Sequence, residues 1–183
     1  MADRLTKIYT RTGDDGRTGM ADGRRVAKDD LLVQAIGEVD ELNSQLAVLS
    51  CHLPDKFKDA ITTIQNELFN VGAELTLGEA MIKQEHVDWL EISLDALNLS
   101  LTPLKEFILP GGGLAASHCH VARAICRRTE RSLVSLDRQV SLDQYLKAYI
   151  NRLSDYLFVL ARAISKEAGE GEVYWQSDRI INK

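Results

Sequence analysis

Residues 142–164 read LDQYLKAYINRLSDYLFVLARAI, and this stretch decides the fold. Its apolar side chains return every three or four positions, which is the spacing of one stripe along an amphipathic helix and not the alternation of a strand. We therefore predict a long helix that buries one face and ends near Gly169. The stripe consists of Leu142, Leu146, Ile150, Leu153, Leu157, Leu160 and Ile164.

Four upstream segments repeat this spacing. They run from Leu32 to Leu53, from Phe57 to Leu75, from Val87 to Leu101 and from Leu114 to Leu136. The chain has only three prolines, at positions 54, 103 and 110, and each lies where the apolar pattern breaks, because proline is excluded from helix interiors. No strand-like alternation of comparable length competes. The sequence thus predicts an all-α fold, a five-helix up-and-down bundle.

The segments outside the bundle lack the helical pattern. Residues 1–28 combine four glycines with several aspartates, a composition typical of turns and loops. This non-helical N-terminal arm has no core of its own, so we expect a ligand or a neighbouring chain to order it. We predict a single domain made of the arm (1–28), the helical bundle (29–169) and a C-terminal tail (170–183).

Composition restricts the possible function classes. A formal net charge of -5 over 183 residues excludes a broadly basic nucleic-acid-binding protein. Three cysteines are too few for a disulfide-stapled secreted fold, and no apolar run suits a signal peptide or a membrane span. We therefore predict a cytoplasmic protein that binds neither nucleic acid nor membrane. Half of the 22 basic side chains lie in residues 1–28 and 123–131, which favours an anionic ligand at these two segments.

The arm carries the first candidate site, TRTGDDGRTG at residues 10–19. Glycines let the backbone approach a ligand closely, and hydroxyl, amide and guanidinium groups bind anions. The glycine spacing is neither that of a Walker A loop nor that of a Rossmann fingerprint. Two interpretations remain open: a phosphate cradle to which Lys28 reaches back, or a flexible polar arm.

The fourth helix carries the second candidate site, RAICRRTER at residues 123–131. Helical periodicity puts Arg123, Arg127, Glu130 and Arg131 on one face. Arginine suits phosphate oxygens and interface carboxylates because its planar fork donates two parallel hydrogen bonds. The alternative is a solvated charged face that contains an Arg–Glu pair.

A third set, Asn151, Asp155, Phe158 and Arg162, forms one stripe on the fifth helix. Asparagine and aspartate are poor helix formers, so their place here favours a use such as a hydrogen bond to a base or ribose. A structural salt bridge between Asp155 and an arginine explains the stripe equally well.

Metal centres and catalytic triads find little support. No histidine follows a glutamate by three positions, as a ferritin-like centre requires. The neighbouring residues His118, Cys119 and His120 point in different directions along a helix, so they converge poorly with Cys126 on one zinc ion. No Ser-His-Asp or Cys-His-Asn arrangement has a defined signature either.

Several motifs together resemble one family, the PduO-type ATP:cob(I)alamin adenosyltransferases. They are TRTGDDG in the arm, GEVDELN at 37–43, Phe107 ahead of PGG at 110–112, CRRTER at 126–131 and YINRLSDYLF at 149–158. The resemblance runs from about Lys7 to Trp175.

The resemblance implies a five-helix bundle assembled as a homotrimer, with ATP bound between neighbouring subunits and Mg²⁺ on the triphosphate instead of a metal site made by protein side chains alone. It implies transfer of the 5'-deoxyadenosyl group of ATP to the cobalt of cob(I)alamin, with release of tripolyphosphate. It also implies, as partners, a cobalamin reductase and an adenosylcobalamin-dependent enzyme. The alternative function is a non-enzymatic nucleotide-binding helical adaptor or sensor.

The resemblance also assigns residues. The triphosphate would be held by Thr10, Arg11, Thr12, Gly13, Thr18, Gly19 and Lys28. The nucleotide pocket would be completed from the adjacent chain by Arg127, Arg128, Thr129, Glu130, Arg131 and Asn151. Catalytic roles would fall to Arg127, Arg131, Asp155 and Phe107.

Three of the assigned roles are specific. Asp40 and Arg123 resemble the family's intersubunit ion pair. Phe107 resembles the aromatic residue that displaces the lower axial ligand of the corrinoid. Asp155 resembles the partner of an active-site arginine.

Overall fold

The computed structural model of the protein describes Tyr9 and residues 11–176. Five helices make up most of this part of the chain, which confirms the predicted all-α bundle. They are α1 (Leu31–Ser50), α2 (Asp55–Leu77), α3 (Gln84–Asn98), α4 (Gly113–Asp137) and α5 (Gln144–Glu167). No helix among the described residues combines the length and the apolar character that a membrane crossing needs.

Local sequence sets several helix ends. The side chains of Asp30 and Asp143, the residues before α1 and α5, each accept a hydrogen bond from a first-turn backbone N–H, at 2.9 Å and 2.7 Å. Gly78 ends α2 with a φ of 72°, a left-handed conformation that costs glycine little. Because Asp143 caps α5, Leu142 lies outside the helix although the apolar spacing includes it.

Two helices end earlier than the apolar spacing predicts. α1 ends at Ser50 instead of Leu53, and α3 ends at Asn98 instead of Leu101. Leu53 is buried and belongs to the core, so a turn residue continues the pattern after the helix has stopped. Apolar periodicity therefore marks burial, and it does not mark the last helical hydrogen bond.

α4 lies at the centre of the bundle, between α1 and α5, while α2 packs on α1 and α3 packs on α5. Two small residues face α5: the fully buried thiols of Cys119 and Cys126 donate to the carbonyl oxygens of Leu157 and Ile150, each at 3.2 Å. Burial raises the pKa of both thiols, so they stay protonated. These cysteines thus have a packing role.

The arm contains a hairpin that the sequence did not predict. Strands β1 (Arg17–Gly19) and β2 (Arg25–Ala27) pair antiparallel, and an Arg17 guanidinium N–H donates to the carbonyl oxygen of Arg25 at 2.6 Å. Three-residue strands are too short to give an alternating pattern. Every residue from 11 to 28 is exposed or half-buried, so the hairpin has no core of its own.

The segment after α5 folds back and pairs with the loop before α4. We call residues 107–112 the Phe107 loop and residues 170–175 the C-terminal strip. Leu109 N donates to Val173 O, and Trp175 N donates to Phe107 O, both at 2.8 Å, with Ile108 and Tyr174 paired between them. The two segments thus form a short antiparallel bridge at one end of the bundle.

Candidate functional site

The main candidate site is a groove of about 500 Å³ between α3, α4 and α5, which we call the central groove. Arg123 and Arg127 of α4 and Asp155 and Phe158 of α5 line it, together with acidic residues of α3. The groove therefore brings together members of the second and third candidate sets. It combines guanidinium groups with one aromatic ring.

Arg152 organises the acidic side of the central groove. Its guanidinium donates to Glu91 Oε1 at 2.9 Å and to Asp155 Oδ2 at 3.3 Å, which ties α3 to α5. Asp155 therefore has an arginine partner within its own chain, as the structural interpretation of the stripe predicts. Arg123 differs, because its buried Nε atom has no hydrogen-bond acceptor among the described residues.

A polar cluster lies next to the central groove, one helical turn further along α4. Glu130 Oε1 accepts a hydrogen bond from Asn151 Nδ2 at 2.8 Å, and Arg131 donates to the carbonyl oxygen of Arg127 at 2.9 Å. Arg127, Arg131 and Asn151 are all exposed. The cluster thus presents two guanidinium groups and one amide where a phosphorylated ligand can reach them.

Arg128 and Thr129 lie elsewhere, because helical rotation turns them away from Arg127 and Arg131 toward α1. The Arg128 guanidinium bonds to Glu41 and lies 3.4 Å from Glu38, which raises its pKa. Thr129 is fully buried, and its hydroxyl donates to the carbonyl oxygen of Glu38 at 3.2 Å. Both side chains join α1 to α4 in this structure; Thr129 is enclosed, whereas part of the Arg128 side chain remains exposed.

In the arm, Gly13 and Lys28 meet. A Cβ atom added to Gly13 would lie 3.2 Å from both the ammonium nitrogen of Lys28 and the carbonyl oxygen of Arg17, so a larger residue here would make these neighbours shift by a few tenths of an ångström. Arg11 adopts a positive φ of 60° just before this turn, and Arg25 bonds to Thr12 O and to Asp15. Thr18 and Gly19 lie in β1, and Thr10 lies outside the described residues.

The arm and the central groove do not meet within one chain. Among the described residues only α3, α4 and α5 line the groove, and no arm residue does. Asp40 and Arg123 are also apart: Asp40 lines an apolar groove of about 610 Å³ between α1 and α2, which we call the α1–α2 groove. The predicted partners thus occupy two different surfaces of one chain.

Phe107 lies between α3 and α4 in sequence and does not line the central groove. Its side chain is 73 % exposed, and its ring centroid is 6.3 Å from that of Trp175. A large exposed aromatic pair of this kind is typical of a surface that binds an apolar ligand.

His120 is a residue that sequence reasoning missed, since it was considered only as a zinc ligand. It is 7 % exposed, its Nδ1 atom has no hydrogen-bond partner in the described chain, and its ring edge meets Phe158. Burial, with a smaller contribution from Arg123, lowers its pKa, so the imidazole is neutral near pH 7. The spacing of His120, Arg123 and Arg127 was the available signal, because it puts all three on one face of α4.

His118, Cys119, His120 and Cys126 do not form a cluster in the part of the chain that the structure describes. Residues 11–176 contain no group of three or more histidine, cysteine, aspartate or glutamate side chains that could hold a metal ion. His118 instead stacks on His52, and the two cysteines face α5.

Comparisons with known proteins agree on one family. The cobalamin adenosyltransferase family model matches residues 8–164. The chain is 46 % identical over 182 residues to a cobalamin adenosyltransferase of Cupriavidus metallidurans, covering 98 % of this chain and 99 % of that protein. It is 39 % identical to a corrinoid adenosyltransferase of Bacillus subtilis, covering 96 % of this chain and 95 % of the relative.

Solved structures give the same result. A variant PduO-type ATP:corrinoid adenosyltransferase from Lactobacillus reuteri, complexed with cobalamin and ATP, matches with a TM-score of 0.88 and 35 % identity over 93 % of this chain and all of that one. A second variant of that enzyme, complexed with ATP, also matches with a TM-score of 0.88, at 36 % identity over 92 % of this chain and 100 % of that one.

Proposed function

The chain belongs to the cobalamin adenosyltransferase family, and we propose that it transfers the 5'-deoxyadenosyl group of ATP to the cobalt of cob(I)alamin. The products are adenosylcobalamin and tripolyphosphate. The observation that carries the proposal is the exposed cluster of Arg127, Arg131 and Asn151 beside the central groove, in a chain whose relatives are named for this activity.

The chemistry needs no nucleophile from the protein. Cobalt(I) supplies the electron pair that forms the cobalt–carbon bond, and the C5'–oxygen bond breaks with its electron pair leaving on tripolyphosphate. The substrate thus carries the reactive centre, while the protein positions the reactants and supplies charge. The lack of a triad signature in the sequence fits this division.

Arginine side chains stabilise the charge that develops on the leaving group. We propose that Arg127 and Arg131 bind the triphosphate and that Asn151, fixed by Glu130, binds the nucleoside. Arg128 and Thr129 then support this surface from behind through α1. Asp155 accepts a hydrogen bond from Arg152, and we propose that this bond fixes the positions of the Arg152 guanidinium and the Asp155 carboxylate in the groove.

The arm completes the site from a neighbouring subunit in this proposal. The proximity of Gly13 and Lys28 supports a phosphate-binding turn here. The other proposed members, close to Gly13 in sequence, are Thr10, Arg11, Thr12, Thr18 and Gly19. Mg²⁺ would enter on the triphosphate, because this ion usually keeps phosphate and water ligands and needs no cage of protein side chains.

We propose a homotrimer joined by ion pairs between Asp40 and Arg123. The two residues line different grooves of one chain, so an ion pair between them across subunits fits a heterologous contact, and a heterologous contact that closes makes a ring. The unpaired Nε of Arg123 and the apolar α1–α2 groove support such an interface. We also propose that the protein is cytoplasmic. Its proposed partners are a cobalamin reductase and an adenosylcobalamin-dependent enzyme.

The test mixes the protein with ATP, Mg²⁺ and chemically reduced cobalamin and follows the corrinoid absorption spectrum. We expect stoichiometric adenosylcobalamin with release of tripolyphosphate. ATP binding without formation of the cobalt–carbon bond would instead identify a nucleotide-binding adaptor.

A further inference from the structure

Arg162 is the most deeply buried charged side chain that forms an ion pair in the described chain. Only 4 % of its side chain is exposed, and its Nε donates to Glu172 Oε1 at 2.6 Å while Nη2 lies 3.5 Å from Glu172 Oε2. Nη2 also donates to the carbonyl oxygen of Thr102 at 2.7 Å. One guanidinium group therefore connects α5, the segment before the Phe107 loop and the C-terminal strip.

This arrangement is costly to break. A buried guanidinium that loses its carboxylate keeps its charge in a poorly solvated place. Glu172 is consequently fixed to α5. The backbone of Glu170 is fixed as well, because its N–H donates to Ser165 O at 3.0 Å and its carbonyl oxygen accepts from Ser165 Oγ at 3.3 Å. The C-terminal strip thus has two attachments to the rigid helix.

The strip in turn holds the Phe107 loop. Hydrogen bonds from Leu109 N to Val173 O and from Trp175 N to Phe107 O join the two segments, and the rings of Phe107 and Trp175 lie 6.3 Å apart at an angle of 57°. The Phe107 loop contains no helix or strand of its own. The position of the exposed Phe107 ring therefore depends on the strip, and the strip depends on Glu172.

We infer that Arg162 and Glu172 are positioning residues for Phe107, acting through the C-terminal strip. The inference rests on the proposed function together with the role that the resemblance gives Phe107, displacement of the lower axial ligand of the corrinoid. We apply this role to cob(II)alamin, the form that must gain one electron to become cob(I)alamin. In that step the bond between cobalt and the lower ligand breaks, the electron pair stays on the ligand, and no electron is transferred. The ring must occupy one place below the corrin, and the Arg162–Glu172 pair defines that place.

The experiment compares Glu172→Gln, which removes the charge but keeps an acceptor, with Glu170→Gln. Glu170 is a suitable control because it is exposed on the same strip and forms no ion pair within the described residues. Both variants replace one glutamate by glutamine, so they change the net charge equally. For Glu172→Gln we expect the four-coordinate cob(II)alamin signal, measured by magnetic circular dichroism with ATP present, to fall about fivefold or more, as expected for one charge-assisted hydrogen bond. Glu172→Asp should retain most of the signal.

Two further readouts separate positioning from general damage. The rate from chemically prepared cob(I)alamin and the Kd for ATP should stay within about twofold of the wild type, because these do not require ligand displacement. In a Phe107→Ala background, Glu172→Gln should cause no further loss of the four-coordinate cob(II)alamin signal, because Glu172 acts on this signal only through the Phe107 ring. An equal loss in both backgrounds, or a signal like that of Glu170→Gln, overturns the inference.

Acrylamide quenching of Trp175 in a Trp89→Phe background tests the attachment without any turnover, since the chain has only two tryptophans. We expect Glu172→Gln to increase the quenching and Glu170→Gln to leave it unchanged. If the wild type makes no adenosylcobalamin, the proposed function fails, whereas unchanged quenching in Glu172→Gln refutes the positioning role on its own.

Discussion

At the scale of single residues, neighbours in one motif have different roles. Arg127 and Arg131 are exposed beside the central groove, whereas Arg128 and Thr129, between them in sequence, pack against α1. From sequence alone, residues 127–131 are assigned together to one binding site. Helical rotation divides this run into an exposed half, which our proposal makes the ligand-facing half, and a half that packs against α1.

Arg127→Ala tests the ligand-facing half. We expect the Kd for ATP to rise by about 10- to 100-fold, the loss of one hydrogen bond to a charged group. The melting temperature should not change, because Arg127 is exposed. Isothermal titration calorimetry measures the affinity, and Arg138→Ala, an exposed arginine at the end of the same helix, is the control. Equal affinities of the two variants would contradict the assignment.

His120 gives a prediction on pH. Its pKa in the folded protein is below the ordinary value of 6.5, because burial and the nearby Arg123 disfavour the charged form. The unfolded chain therefore takes up the proton first, so the stability is fully present above the unfolded pKa and decreases as the pH falls through it. We expect the free energy of unfolding, measured with urea, to decrease less between about pH 8 and about pH 5 for His120→Gln than for the wild type. Identical pH slopes would refute this.

At the scale of elements, the sequence predicted the helices far better than the segments between them. All five helices follow from apolar spacing, because each buries one continuous stripe in the core. The β1–β2 hairpin and the pairing of the Phe107 loop with the C-terminal strip depend on backbone hydrogen bonds between short segments. Such bonds leave no periodic signal, and the second pairing joins residues that are distant in sequence.

Gly112 controls how the Phe107 loop enters α4. It adopts a φ of 86°, and a Cβ atom there would lie 2.3 Å from Ser165 Oγ and 2.6 Å from Ser165 Cβ. Gly112→Ala should therefore lower the free energy of unfolding by about 1–3 kcal/mol, through strain and overpacking. Gly111→Ala is the matched control, since nothing lies within 4 Å of its added Cβ. Comparable urea midpoints for the two variants would show that the close contact is unimportant.

At the scale of the whole molecule, one chain carries the two unlike halves that the proposed interface would join. The α1–α2 groove is apolar and contains Asp40, whereas the central groove contains Arg123 with an unpaired Nε. Neither half can satisfy the other within the same chain. The sequence motifs indicated both residues, but only the fold reveals that they lie on separate surfaces.

A charge exchange tests the assembly. Asp40→Arg and Arg123→Asp should each dissociate the trimer, whereas the double variant should restore a particle of about three times 20.4 kDa. Analytical ultracentrifugation measures the mass. Asp59→Arg, an exposed position on α2 outside both grooves, is expected to leave the trimer intact. Intact trimers in both single variants would refute the proposed ion pair.

The bridge between the Phe107 loop and the C-terminal strip also determines when this surface forms during synthesis. The strip leaves the ribosome only after all five helices have been made, so the loop waits without its partner while the bundle assembles around α4. A nascent chain that ends at Gly169 would already contain all five described helices. It would lack the hydrogen bonds that join the C-terminal strip to Phe107 and Leu109. Completion of this end of the bundle is thus a late event in the synthesis of each polypeptide.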